Sequence, residues 1–320
     1  MTKNNLVIIL LLIGFFASIF IGLSYGPADL SLTELFSHNN FDILRLRMMR
    51  VLLGIVAGAG LAAAGCILQA VLKNPLAEPY ILGISSGSTL GAGLAIICGI
   101  SSQVQPLIAF IGALIATMLV VYLARANGAI SIHSLILLGV IIGTVLSGIA
   151  TFLISISSSQ ALHGIIWWLL GNLQIYDIKL LMTVSILVLT SIAVGWIFSQ
   201  DLNAISIGEE EAKHLGIDIE TIKVILIIIC SLITGAIVSA CGIIGFVGLI
   251  IPHGIRLIVG NNHRIVIPAA CLAGSIFIVI CDLISRAIMP PVEIPIGVIT
   301  AVIGGPLFII LLKKYQRIRQ

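Results

Sequence analysis

The sequence predicts an all-α integral membrane protein of about ten transmembrane helices, and three observations carry that prediction. Of its 320 residues, 59% are hydrophobic and only 9% are charged, giving a mean hydropathy of +1.23. A bilayer core of about 30 Å takes about 20 apolar residues to cross as a helix, and the chain supplies enough such runs for roughly nine or ten crossings. The runs are apolar on every face, as in VILIIICSLITGAIVSACGIIGFVGLII at 224–251. A membrane β-barrel would instead alternate polar and apolar positions over segments of about ten residues. The whole chain, 1–320, reads as a single membrane domain.

Taken in order, Lys3 and the run from Leu6 to about Leu23 form a first helix, because the run is too long for a signal-peptide core and lacks a small-residue cleavage site. Residues 26–46 read as an outer loop with a short amphipathic helix from Leu30 to Phe36. The segment RLRMMR at 45–50 opens a second helix that runs to about Leu72. It carries Gly54, Gly58, Gly60, Ala62, Ala63, Ala64 and Gly65, small residues that let helix backbones approach closely in lipid. Pro75 and Pro79 disfavour helical continuation before them, so Lys73–Pro79 is a break.

A third helix follows, glycine-dense with Gly83, Gly87 and Gly91 on one face. Further helices are expected over about 106–123, 134–156, 178–198, 222–239, 244–259, 265–288 and 296–312. A half-helix, SSSQALHGIIWWLLGN, precedes the sixth and places Trp167 and Trp168 as an interfacial belt. The eighth helix is short and interrupted by Pro252, which suggests an incomplete span. All six cysteines (66, 98, 230, 241, 271 and 281) fall within or at the ends of apolar segments, without a CxxC pair. They read as small core residues, and with the histidines scattered, neither a metal site nor a bound cofactor is expected. The net charge of +3 gives no reason to expect a nucleic-acid partner.

Orientation follows from Lys and Arg in the flanking loops. With both termini in the cytoplasm, eleven basic residues lie inside and five outside: Arg45, Arg47, Arg50, Lys179 and Arg286. Three arginines together on the outer face run against the rule. Either they reach up to lipid phosphates or they meet an acidic partner outside, and the residues alone leave both open.

The longest polar stretch, 199–221, then falls in the cytoplasm. Seven of the chain's 29 Asp, Glu, Lys and Arg residues sit between 201 and 220. Ser206 followed by Glu209 has the spacing of a capping box. That spacing predicts a helix of two to three turns that ends at a left-handed Gly216, with Glu209 and Lys213 paired at i, i+4. Gly208, Ala212 and Leu215, with Ile207 on its border, form a narrow small-and-apolar stripe. Such a stripe can sit in a groove on another protein, or the helix can be an ordinary surface one.

Several chemistries are excluded. No segment matches GxxxxGK[ST] and no lysine follows a glycine, so the chain carries no Walker A loop and is not itself a nucleotide hydrolase. No paired acids lie deep in the helices, where ion-coupled carriers usually need them. That lowers, without removing, the alternative of an ion-gradient-driven carrier or channel.

Four stretches together resemble one known family: NPLAEPYILGISSG (74–87), GEEEAKHLG (208–216), GIIGFVGLIIPHGIRLIVGNNHR (242–264) and EIPIGVITAVIGGPLFIILL (293–312). They are similar to the FecCD family of binding-protein-dependent ABC importer permeases, which includes vitamin B12, ferric siderophore and haem permeases. The match runs in order from about Arg47 to Leu312. The resemblance implies a type II importer bundle that forms a homodimer in a bacterial or archaeal cytoplasmic membrane. It also implies two ABC ATPase subunits beneath, which hydrolyse the ATP, and a periplasmic or lipid-anchored binding protein above. The cargo would be an iron(III)-siderophore, haem or cobalamin.

The family's G-E-x-x-A-x-x-L-G coupling helix maps onto Gly208, Glu209, Ala212, Leu215 and Gly216. Its outer R-x-P-R motif maps onto Arg47-Met48-Met49-Arg50, with methionine in place of proline. With Arg286, these two arginines match the family's contacts to the binding protein. Asn74, Leu76 and the turn of Ser131, Ile132 and His133 fall where the family places its cytoplasmic gate.

Overall fold

The computed structural model describes residues 3–26, 40–126, 129–290 and 292–319. It is helical almost throughout: α1 (Lys3–Ser24), α2 (Phe41–Val71), α3 (Ile84–Ile97), α4 (Gln105–Ala124), α5 (Ile132–Ser155), α6 (Ser159–Leu169), α7 (Ile178–Ile197), α8 (Ser199–Ile207), α9 (Glu209–His214), α10 (Ile219–Cys241), α11 (Val247–Val259), α12 (His263–Ala287) and α13 (Ile296–Arg319). A single 3₁₀ turn, Pro79–Leu82, precedes α3. Among the described residues the strands are confined to a small antiparallel ladder between α4 and α5. There β1 (Arg125–Ala126) pairs with β2 (Ala129–Ile130), with Arg125 opposite Ile130.

Among the described residues, seven helices are long and apolar enough to cross a bilayer: α1, α2, α4, α5, α7, α10 and α12. The other three expected spans are shorter, with 14 residues in α3, 13 in α11 and the apolar part of α13 ending at Leu311. The expected short eighth span is thus present, with Pro252 inside it.

The bundle is organised on α2. Twenty-two of its 31 residues are buried, and α12, α10, α11 and α7 pack around it. Small residues make this packing possible, since lipid offers no hydrophobic force between helices and close van der Waals approach has to hold them. Gly58 meets Gly274 of α12 backbone to backbone, and a methyl group added to either would run into the other's carbonyl. In contrast, α1, α4, α5 and α7 bury only a minor share of their apolar length and turn the rest outward.

Several expectations need correction. α2 begins at Phe41, so the last six residues of the expected 26–46 loop are helical; the proposed Leu30–Phe36 helix lies outside the described residues. Gly83 is not on the face of α3 but precedes it with φ +77°, a left-handed turn that reverses the chain out of the 3₁₀ segment. Gly87 and Gly91 do lie at the contact with α4. Cys98, at the end of α3, is exposed rather than in the core.

The polar stretch is two helices, not one. The Ser206 hydroxyl donates back to the Leu202 carbonyl (2.6 Å) inside α8, and the backbone breaks at Gly208 before α9 begins. The Ser206 capping box therefore does not form, because the hydroxyl already bonds its own helix.

Candidate functional site

The structure gathers charge at two ends of α2. At about 1.5 Å of rise per residue, Arg50 and Lys73 lie roughly 35 Å apart along it, close to the thickness of a membrane.

At the Arg50 end, the expected outer face, the arginines turn inward. Arg50 donates through Nε to Asp282 Oδ1 (2.7 Å) and through an Nη to Glu293 Oε2 (2.8 Å). Arg286 pairs with the other oxygen of Asp282 at 3.0 Å. Two cations and two carboxylates therefore form a neutral chain, Glu293–Arg50–Asp282–Arg286, in which Asp282 and Arg286 are almost wholly buried.

The remaining donors cap α1. Arg47 bonds the carbonyls of Leu23 and Ser24 (both 3.0 Å), and Arg286 bonds those of Tyr25 (2.6 Å) and Gly22 (3.2 Å). The last carbonyls of a helix have no partner within it and carry partial negative charge, so buried guanidinium groups satisfy them. Of the expected docking arginines, Arg47 and Arg286 are buried and Arg50 is mostly covered, whereas Arg45 is exposed. Arg50 and Arg286 find acidic partners within the chain, and Arg47 is held by the carbonyls that end α1.

An open cavity of about 260 Å³ lies over the cluster, lined by Arg47, Arg50, Gln174, Tyr176, Arg286 and Glu293. Nothing local in the sequence assigns Asp282 or Glu293 a role. The i, i+4 spacing of Asp282 and Arg286 was the available signal, and 232 residues separate Arg50 from Asp282.

At the opposite end, the break after α2 is tightly built. Asn74 Oδ1 accepts from the Leu76 amide (2.9 Å), and Lys73 holds a left-handed φ of +47°. Gln69 donates to the carbonyls of Ala77 and Gly248 and accepts from Arg256. Two further contacts stitch the break to the one between α10 and α11. Glu78 Oε1 accepts from the Phe246 amide (2.8 Å), and the Tyr80 hydroxyl bonds both the carbonyl and the amide of Ile244. Leu76 is half exposed, and His133 is exposed beside the Ser131 cap of α5.

α8 is held to the start of α12 through Asn203, whose amide donates to Asn262 Oδ1 (3.1 Å) and whose oxygen accepts from the His263 amide (2.9 Å). α9 ends as expected at a left-handed Gly216 (φ +79°). There the Ile217 amide bonds the Ala212 carbonyl and the Gly216 amide bonds that of Lys213, a Schellman closure.

The expected apolar stripe is divided. Ala212 is fully buried in a small cluster with Ala204, Ile205 and Ile219, whereas Ile207 and Leu215 are 79% and 72% exposed. Glu209 pairs not with Lys213 but with Lys73 (3.4 Å) and Lys223 (3.0 Å). Partial burial raises the Glu209 carboxyl's pKa, but the Lys223 ammonium and then Lys73 outweigh this and hold it below the usual carboxylate value.

The structure thus brings Glu209 against the residue preceding Asn74. It links His133 to the same neighbourhood only through β2, whose Ile130 amide donates to Glu220 (2.7 Å).

The model of the FecCD transport family matches residues 10–314. The chain is 39% identical over 276 residues to the cobalamin import system permease protein BtuC of Halobacterium salinarum, covering 85% of this chain and 73% of that one. It is 33% identical over 327 residues to the hemin transport system permease protein HmuU of Yersinia pestis, covering 97% of each. A solved inward-facing conformation of a metal-chelate type ABC transporter superposes with a TM-score of 0.89 at 31% identity, over 97% of this chain and 99% of that one.

Proposed function

The chain belongs to the FecCD transport family, and on that premise we propose that it is the membrane-spanning permease subunit of a binding-protein-dependent ABC importer. A separate ATPase hydrolyses the ATP, and the cargo is an iron(III)-siderophore, haem or cobalamin. Two copies of the chain line the pathway, each with ten membrane-embedded helices and both termini in the cytoplasm of a bacterial or archaeal cell. An ATPase sits beneath each copy, and a periplasmic or lipid-anchored binding protein docks on the Arg50 face.

The observation that carries this reading is the combination of the family match over residues 10–314 with one structural feature. Ile207, the last residue of α8, and Leu215, just past α9, stand exposed on either side of a short helix otherwise tied inward. Neither serves the chain's own packing, which α9 contributes through Ala212. They suit an apolar cleft on an ATPase, and the aligned Gly208, Glu209, Ala212, Leu215 and Gly216 are the coupling element.

ATP-driven closure of the ATPase pair would push this element, shift the Asn74–Leu76 and His133 segments that gate the cytoplasmic mouth, and alternate access across the membrane. On the far side Arg47, Arg50 and Arg286 line an open cavity with their guanidinium groups already engaged within the chain, so an acidic docking loop would compete with Asp282 and Glu293 for Arg50. Such contacts set encounter rate and register more than affinity.

The test is purification from native membrane with identification of co-purifying proteins, followed by hemin and cyanocobalamin uptake in vesicles. The expected result is a Walker A ATPase and a binding protein in the complex, lost when Ile207 and Leu215 are both replaced by Asp, with uptake requiring ATP. Uptake of cargo by the chain alone, driven by an ion gradient, would overturn the reading.

A further inference from the structure

At the centre of the cytoplasmic end lies a lysine that the reading above does not use. Lys223, one turn into α10, has a side chain only 3% exposed. A buried ammonium survives only with close, well-placed counter-charges, and Lys223 has two, Glu209 Oε2 at 3.0 Å and Glu220 Oε1 at 3.2 Å. Each carboxylate then spends its second oxygen elsewhere. Glu209 Oε1 reaches Lys73, at the start of the Asn74–Leu76 segment, and Glu220 Oε2 accepts the Ile130 amide, two residues before α5.

The result is an unbranched line, Lys73–Glu209–Lys223–Glu220–Ile130, neutral in sum, in which Glu209 Oε2 and Glu220 Oε1 share Lys223 while the other two oxygens hold Lys73 and the Ile130 amide. It joins four segments: the break after α2, the short helix α9, the first turn of α10 and strand β2. Loss of Lys73 cuts one end of the line, and loss of the Glu220 carboxylate cuts the other.

We propose that this ionic line is a transmission relay, through which movement of α9 reaches both the Asn74–Leu76 segment and the β2–α5 junction bearing His133. Glu209 and Glu220 then act as positioning residues. Glu209 is turned to Lys73 and Lys223, whereas Ile207 and Leu215, which flank α9, are exposed, so the docking contacts and the transmission contacts use different residues of the same segment. The relay rests on the importer reading, since it needs an ATPase to drive α9. The left-handed φ of Lys73 closes α2 as a Schellman cap, with the Lys73 amide on the Ala70 carbonyl and the Asn74 amide on that of Gln69, so the chain is anchored where the line attaches.

The relay has two arms that separate substitutions cut. In the intact complex with its co-purifying ATPase, in vesicles and in a Cys98→Ser background, single cysteines at Leu76 and at His133 are labelled with a maleimide with and without ATP. The parent should show ATP-dependent labelling at both positions. Lys73→Met should abolish the ATP response at 76 and keep it at 133. The isosteric Glu220→Gln should do the reverse. In both variants ATPase co-purification should stay at the parental level, which a merely misfolded variant would not show. Retention of both ATP responses in Glu220→Gln, or loss of both in each variant, would overturn the relay. A parent that neither retains an ATPase nor responds to ATP would instead overturn the importer reading and the relay with it.

Discussion

The two charge clusters along α2 each pair two cations with two carboxylates, arginines in one and lysines in the other, and they differ in burial. The outer one, Glu293–Arg50–Asp282–Arg286, is closed in on itself. Its central carboxylate is 2% exposed and its guanidiniums also cap the last turn of α1. The inner one, Lys73–Glu209–Lys223–Glu220, is open, with Lys73 and both carboxylates each about one-third exposed and only Lys223 buried. Removing one member of a buried pair strands an uncompensated charge and costs about 3–5 kcal/mol, while an exposed pair is worth about 0–1 kcal/mol. The outer cluster is therefore a fixed joint between α1, α2 and α12. The one at the Lys73 end is a set of weaker, partly exposed ties between separate elements.

The largest expected effect is at Asp282. Asp282→Asn leaves Arg50 and Arg286 without their shared carboxylate and should destabilise the fold by about 3–5 kcal/mol, read as a lowered midpoint of thermal unfolding in detergent and less folded protein in the membrane. An unchanged midpoint would break the contrast, because the outer cluster would then be no stiffer than the inner.

Next comes a pair within the inner cluster. Lys223→Met leaves two carboxylates facing each other and should cost about 1–3 kcal/mol, whereas Lys73→Met should cost less than about 1 kcal/mol. Equal shifts in the same unfolding assay would mean that the line is a single buried network rather than a graded one.

The smallest effect concerns pH. The folded Glu209 carboxyl has its pKa below the ordinary value of about 4.3, so its contribution is complete above that value and disappears as pH falls through the depressed folded one. Amide-exchange protection of α9, corrected for intrinsic rates, should be flat from pH 7 to about pH 5 and fall only in more acidic solution. Loss of protection already near pH 6 would place the control elsewhere.

Local features were readable from the sequence and remote pairings were not. The apolar runs located the main helices to within a few residues, because a bilayer forces a length and a composition on each. Gly216 was recognisable as a helix stop because only its own conformation was at issue. The division of the 199–221 segment was hidden, since Ser206 has two uses for its hydroxyl and the choice depends on Leu202, Ala204 and Ile205 burying the preceding turn.

The partners of Arg50 and Glu209 could not have been read locally either. Asp282 and Glu293 lie more than 200 residues from Arg50, and Glu209 prefers Lys223 and Lys73 to the nearby Lys213. For the arginines, charge counting found an anomaly without its local causes: Arg50 has its counter-ions in the chain and Arg47 caps the end of α1.

One feature of the packing bears on how such a molecule can move. The break after α2 and the break before α11 share the Glu78–Phe246 bond and both Tyr80–Ile244 bonds. Two interruptions in a bundle would ordinarily supply two independent hinges. Cross-bonded in this way they supply a single degree of freedom, so a displacement delivered to the Lys73 side has to carry α11 with it. α3 and α11, each too short to reach across a membrane alone, both begin at this shared joint.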